Sequence, residues 1–401
     1  MSAQNRVRAL AGAGTVAALL ALGLTTAPSA PAAQAEPVRA VPAGAVPASA
    51  VPAPAAGTSA AGAEAQAVRA PAGSPVAING QLKVCGTKLC NQFGKPIQLR
   101  GMSTHGIGWF PRCYTDGSLD ALATDWKADV LRVSMYVDAA DKGYLEDPVK
   151  YTNQVHSLIE KASARGMYVI VDWHMLGSDT VDLGDGDPWT YVAHAKRFFK
   201  DIAERHKDKN NLLYEIANEP NGKNHVGQRV DWWTIKTYAE DIIPYIRQYD
   251  ADTPVLVGTP DWASFGLSGG SDENEVVNNP LRIANIMYTF HFYAASHREW
   301  YFDGLTRVAD KLPVFVSEFG TQNYLGEGAN DFAMTQRYLD LMASKKISWV
   351  NWNFSDDHRS GAVFKEGTCN AGGPWTGTAP LKEAGAWIRG KIRTADNFPT
   401  S

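Results

Sequence analysis

The sequence predicts an α/β protein of the (β/α)8 barrel class, and three observations predict it. From Val76 onward, short β-branched and apolar runs alternate with amphipathic stretches. Eight such runs can be counted, and several are apolar throughout, as strands covered on both faces should be. No GxGxxG follows any of them, so an open doubly wound sheet lacks the phosphate loop that would explain its site.

The runs are Ile97–Gly101, Val130–Met135, Met167–Trp173, Leu212–Ala217, Pro254–Gly258, Ile286–Phe292, Pro313–Glu318 and Ser348–Asn353. Between the second and third, Val155, Leu158, Ile159 and Ala162 share one helical face, and Gly166 stands where a C-terminal cap belongs. Ile235, Tyr238, Ala239, Ile242 and Ile246 make a second such face. The fifth unit is the weakest, since Asp261 to Asn279 is rich in Gly, Ser and Asn and shows little helix. No internal repeat stands out beyond the βα alternation.

Arg6 and Arg8 precede an apolar run from Ala9 to Leu24, and small residues follow up to Ala33-Gln34-Ala35. That pattern predicts a secretory signal peptide over 1–35 and export from the cell. Residues 36–75 are mostly Ala, Pro, Val, Gly and Ser, too poor in large apolar side chains to offset folding entropy, and read as a disordered leader or linker. The barrel is expected over 76–393 and a tail over 394–401. No later stretch is long and apolar enough to span a bilayer, so no membrane association is expected after signal cleavage. The formal net charge is −4 and no Lys/Arg-rich block occurs, which argues against nucleic acid. Nothing suggests an interface, and a monomer is expected.

Export gives the 4 cysteines a meaning, because an oxidising compartment lets an even set pair. Cys85 and Cys90 flank Gly86-Thr87 in an expected hairpin. Cys113 and Cys369 fall on the loops after the first and eighth runs, which are neighbours where a barrel closes. Disulfides Cys85–Cys90 and Cys113–Cys369 are therefore expected. There is no CxxC, HxH or HExxH, and neither a metal nor a cofactor is expected.

Functional residues of such barrels gather where strands end and βα loops open. Arg132 lies within the second run; His174 closes the third, Asn218-Glu219 the fourth, His291 and Tyr293 the sixth, Glu318 the seventh and Trp352 the eighth. A lone Glu at a loop base is ordinarily a salt-bridged residue. Two at the ends of the fourth and seventh strands can meet over the axis, and paired carboxyls suit glycosidic bond cleavage.

Ile216-Ala217-Asn218-Glu219-Pro220 and Val316-Ser317-Glu318-Phe319-Gly320 resemble the acid/base and nucleophile motifs of glycoside hydrolase family 5. Leu99-Arg100-Gly101-Met102-Ser103-Thr104-His105-Gly106, Asp172-Trp173-His174, His291-Phe292-Tyr293 and Asn351-Trp352 occur in that family's order. The similarity runs from about Asn79 to Arg393 and is nearest to bacterial endo-β-1,4-glucanases.

The resemblance implies Glu219 as general acid/base, its proton retained near neutral pH by partial burial and the charge of Glu318, and Glu318 as nucleophile. It implies Arg132 and Tyr293 as donors to Glu318, and Asn218 as donor to the sugar 2-hydroxyl. His174 and His291, read as lying at adjacent strand ends, would orient the acid/base, sugar hydroxyls or neighbouring side chains. Trp352 would lie beneath the reacting sugar, with His105, Trp109 and Tyr136 also among the binding residues. Trp262 and Trp300 are candidates for more distant sugars; Trp126, Trp349 and Trp387 are assigned to packing. One departure stands after the eighth run. Family members there often carry a Lys and an acidic residue, whereas this chain has Ser355-Asp356-Asp357-His358-Arg359-Ser360, from which Asp357 and Arg359 could supply hydrogen bonds. The function expected is retaining endo-hydrolysis of β-1,4-glucan. β-Mannan or mixed-linkage glucan hydrolysis, or carbohydrate binding without turnover, are the alternatives.

Overall fold

In the computed structural model, residues 70–176 and 186–400 are described. The expected signal peptide and nearly all of the leader lie outside the described residues. The eight runs become β1 (Arg100–Ser103), β2 (Val130–Tyr136), β3 (Tyr168–His174), β4 (Leu212–Glu215), β5 (Val255–Val257), β6 (Ile286–Tyr293), β7 (Val314–Gly320) and β8 (Trp349–Trp352). All neighbouring pairs are parallel, and β8 pairs with β1, so the sheet closes on itself. The first run was placed three residues early. Ile97 instead bonds to Leu89 of a hairpin, Lys83–Cys85 with Lys88–Cys90, below the barrel.

The helices follow the apolar faces. In Pro148–Ala164, Val155, Leu158, Ile159 and Ala162 are all buried, Asp147 caps the N-terminus by accepting from Lys150 N, and Gly166 has φ +69° just past the end. In Trp232–Ile246, the five expected residues are buried against the sheet. The fifth unit has only Pro260–Ala263, a 3-10 turn Leu267–Gly269 and Asn274–Val277. There Asp261, Trp262 and Ala263 all have positive φ, at 55°, 60° and 52°, which non-glycine residues seldom adopt.

Strand alternation sorts the interior into layers. Val130, Tyr168, Ile170, Leu213, Leu256, Met287, Phe315 and Val350 fill the base, which the hairpin and Leu82, Leu89, Ile97 and Leu99 plug. Alternate residues such as Leu131, Val133, Val169 and Val171 point outward into the helix-facing core. Gly101 is required at the closing seam, because a Cβ there would stand 1.8 Å from the Val130 carbonyl oxygen. Both disulfides, Cys85–Cys90 and Cys113–Cys369, are present.

Two margins differ from expectation. Ser74 caps the short helix Pro75–Asn79 and Ala70 packs on the base, so the last few residues of the expected leader belong to the barrel's packing. The C-terminal segment also packs beneath the barrel: Asp396 pairs with Arg100, Phe398 joins the base cluster, and the Pro399 carbonyl accepts from Asn91 Nδ2 at 2.9 Å.

Candidate active site

Above the apolar base lies a polar layer centred on Arg132, which is fully buried. Its Nε donates to Glu215 Oε2 at 2.7 Å, Nη1 to Glu318 Oε2 at 3.1 Å, and Nη2 to Asn218 Oδ1 at 2.6 Å, with Asp172 Oδ2 3.0 Å from Nη2. The Ser103 and Ser134 hydroxyls lie 3.4 Å from Nη1. Burial opposes the charge, yet the carboxylates of Asp172, Glu215 and Glu318 outweigh it and hold the guanidinium's pKa above its ordinary value. A cation buried this deeply fixes every group it touches.

Glu318 receives a second donor, the Tyr293 hydroxyl, 2.6 Å from Oε1. Burial, reinforced by the charges of Glu318 and Glu219, pushes the Tyr293 phenol well up, so it stays a donor. Glu318 faces inward because β7 is irregular: Thr289 pairs with Phe315 but His291 with Glu318, a one-residue slip mirrored on the β8 side. The slip lets Ser317 and Glu318, consecutive residues, both bond into the barrel interior.

Glu219, just past β4, has Oε1 2.8 Å from His291 Nδ1. His291 Nε2 is 2.9 Å from Ser317 Oγ. Burial alone would lower the His291 imidazole, but Glu215 and Glu219 outweigh it and hold it up at about 9. One carboxylate oxygen each from Glu219 and Glu318 and a His291 nitrogen lie within 4.8 Å of one another. Asn218 Nδ2 donates to the Met175 carbonyl at 3.1 Å, which turns the amide and leaves its second N–H for another acceptor.

His174 does not neighbour His291. It closes β3, three strands away, and its Nδ1 lies 2.6 Å from Asp172 Oδ2. Burial, with Arg132, lowers its imidazole to about 3, while burial pushes the Asp172 carboxyl well up. The Trp352 ring stacks on His174, 5.2 Å between centroids and 7° between planes, and joins Tyr136 and Tyr293 in an aromatic group at the mouth. His105 lies 5.1 Å from the Trp352 ring and parallel to Tyr136 at 6.2 Å. Burial holds His105 at about 3.

Trp109 is half-buried on the loop after β1, with the Lys142 ammonium 4.3 Å from its ring centroid. Trp262 is half-buried after β5 and donates its backbone N–H to the Pro220 carbonyl, which ties that loop to the one carrying Glu219. Trp300 is 54% exposed at the start of the helix after β6. Trp126 and Trp349 are buried, and Trp387 is a half-buried helix residue stacked on Phe332.

After β8, Asp357 Oδ2 accepts from Arg359 Nη1 at 2.7 Å and lies 3.7 Å from His105 Nε2, while Oδ1 lies 2.7 Å from His358 Nδ1. The Lys382 ammonium, arriving from far along the chain, donates to the carbonyls of Asp357 and Arg359. Asp357 is thereby turned toward His105 inside the loop.

Sequence reasoning missed Glu215 and Lys382 as parts of the site and gave no role to Asp172 and Ser317, although both stand inside the quoted motifs. For Glu215 and Asp172 a signal existed, namely an acid inside an apolar run, where an unpaired charge is too costly to bury.

A family model described as Cellulase (glycosyl hydrolase family 5) matches residues 90–358. The chain belongs to glycosyl hydrolase family 5. Among family relatives, Endoglucanase E-5 of Thermobifida fusca is 54% identical over 322 residues, 80% of this chain and 66% of that protein. Endoglucanase MaCel5A of Microbulbifer sp. is 52% identical over 323 residues, 80% of this chain and 59% of that protein. The chain thus spans about three fifths to two thirds of the length of these relatives. The solved catalytic domain of Thermobifida fusca endoglucanase Cel5A superimposes with a TM-score of 0.75 at 54% identity, covering 80% of this chain and 100% of that one. A variant of that domain, solved in complex with cellotetraose, gives the same values.

Proposed function

We propose that this family 5 chain is an exported endo-β-1,4-glucanase that cleaves internal glucosidic bonds with retention of configuration, with Glu219 as acid/base and Glu318 as nucleophile. Glu219 protonates the glycosidic oxygen as Glu318 attacks the anomeric carbon, giving a glycosyl-enzyme and releasing the leaving chain. Glu219 then takes a proton from water, whose oxygen displaces Glu318 and restores the β configuration. The observation that carries this reading is the closeness of the two carboxylates, within 4.8 Å at the nearest oxygens. Retaining pairs stand about 5–5.5 Å apart and inverting pairs about 6.5–9.5 Å. The division of roles is supported by their partners. Glu318 has two fixed donors, suited to an ionised nucleophile, whereas Glu219 meets one histidine.

The substrate class is supported by relatives named endoglucanases and by the cellotetraose held by a variant of one of them. Export is supported by the Arg6, Arg8 and Ala9–Leu24 pattern. Among the described residues, no helix is long and apolar enough to cross a membrane.

Anomeric proton NMR on cellopentaose tests the mechanism. β-Product should appear first and mutarotate; α-product appearing first would make the enzyme inverting. Reducing-sugar release across glucan, mannan and xylan tests the substrate, with mannan preferred over glucan as the overturning result. On an activated aryl cellobioside with azide, Glu219→Ala should give the β-glycosyl azide and Glu318→Ala the α-product. The reverse pattern would exchange the two roles.

A further inference from the structure

Behind the cleft, one chain of hydrogen bonds, buried except at its Glu219 end, joins the two carboxylates. It runs from Glu219 Oε1 to His291 Nδ1 at 2.8 Å, from His291 Nε2 to Ser317 Oγ at 2.9 Å, and from Ser317 Oγ to Glu215 Oε1 at 2.7 Å. Arg132 completes it, with Nε on Glu215 Oε2 and Nη1 on Glu318 Oε2. Neither Ser317 nor Glu215 has any exposed surface.

Counting protons sets the direction of the middle links. Burial would raise the Glu215 carboxyl, but Arg132 outweighs burial and holds it at about 2, so Glu215 can only accept. The single hydroxyl proton of Ser317 therefore goes to Glu215. The Ser317 oxygen is then left to accept from His291, and Nε2 must carry a proton. His291, held up at about 9, carries a proton on Nδ1 as well and donates it to Glu219 Oε1, which leaves the acid proton of Glu219 on its other oxygen. When Glu219 gives up that proton, the Nδ1 donor of the already cationic ring faces the new carboxylate. The titratable groups facing His291 are Glu215 and Glu219 from the β4 side, Glu318 from β7 and Asp172 from β3.

We propose that Ser317 and Glu215 are positioning residues for the acid/base: the Ser317 oxygen, its own proton given to Glu215, accepts from His291 Nε2 and so supports the doubly protonated ring whose Nδ1 donates to the Glu219 carboxylate. This rests on the reading of Glu219 as acid/base. A charge-assisted hydrogen bond to the carboxylate makes Glu219 a stronger acid when the leaving oxygen needs its proton. It also holds the same carboxylate in place when it must act as base. The irregularity in β7 permits this, because it turns Ser317 to the relay and Glu318 to the cleft from adjacent positions.

Ser317→Ala removes one oxygen from the relay without changing charge. kcat/KM would be measured on cellotetraose, whose leaving group needs a proton, and on 2,4-dinitrophenyl cellobioside, whose leaving group does not. The ratio of the first to the second should fall about 10-fold, part of the 10²–10⁴ that general acid/base catalysis supplies. Ser317→Thr, which keeps the hydroxyl, should restore the ratio, and Glu215→Gln should lower it as alanine does. An unaltered ratio in folded Ser317→Ala, or equal losses on both substrates, would overturn the proposal. Ser317→Cys gives the same readout if the alanine variant does not fold. Glu219→Ala with azide, run on the same aryl substrate, separates the two ideas. Rescue beside an unaltered Ser317→Ala ratio would dismiss only the relay, whereas absence of rescue would dismiss the acid/base reading itself.

Discussion

The Tyr293 hydroxyl stands 2.6 Å from Glu318 Oε1, on the oxygen that Arg132 leaves free. Two donors on two oxygens hold the carboxylate in one rotation, with its charge compensated. Tyr293→Phe removes one donor and little else. A hydrogen bond to a charged group is worth about 1.5–3 kcal/mol, so kcat on soluble β-glucan should fall about 10- to 100-fold. The melting temperature should move by only a few degrees. Activity within twofold of the parent would show that Arg132 alone orients Glu318.

Arg132 is the counter-charge for Glu215 and Glu318 and a partner of Asp172 and Asn218. Arg132→Met leaves buried carboxylates uncompensated, which costs about 3–5 kcal/mol of stability. Denaturant unfolding should show that loss, together with loss of activity. Arg132→Lys keeps a charge but not the planar fork, and should recover only part of the stability. Full recovery by lysine would mean that charge, not geometry, is what the site requires.

Trp352 lies on His174 with His105 close by, in a group with Tyr136 and Tyr293, and keeps 8% of its surface exposed. Trp352→Ala should cut activity at least tenfold through loss of a flat apolar face for the sugar, while the fold persists. Trp126→Ala is the control, since that ring has no exposed surface and its loss should cost about 3–5 kcal/mol. A Trp352 variant with normal turnover and the larger stability loss would assign the ring to packing.

His156 and His206 meet at 2.9 Å, Nδ1 to Nε2, between the helices Pro148–Ala164 and Val192–His206. Burial lowers both, His206 to about 4, although Glu160 and Asp201 stand nearby. The folded state holds both rings neutral, while the unfolded chain protonates them near 6.5. Their contribution to stability is thus complete above about 6.5 and is lost as pH falls toward 4. The melting temperature should drop across that window, and His206→Gln should flatten the drop. A parallel drop in parent and variant would place the acid sensitivity elsewhere.

The strands were legible because their apolar runs are short, bounded and eight in number, and strand ends then located both glutamates. What stayed illegible arises from closure. Arg132, Asp172, Glu215 and Glu318 come from four strands, and no spacing within one strand shows that their side chains share one layer. Strict alternation on β7 would send only one of Ser317 and Glu318 inward; the slip against β6 and β8 sends both. The same absence of neighbours in sequence hid the Arg100–Asp396 pair and placed His174 beside His291 when three strands separate them.

The bond between Cys113 and Cys369 encloses every barrel strand except β1 in one covalent ring. A single peptide cleavage anywhere on that ring opens it without dividing the molecule. Both carboxylates, the aromatic mouth and the buried relay are threaded on the ring, so a nicked molecule keeps all of them on one covalent body. Only the stretch before Cys113 and the short run after Cys369 can be severed outright, and the first of these carries β1, His105 and Trp109.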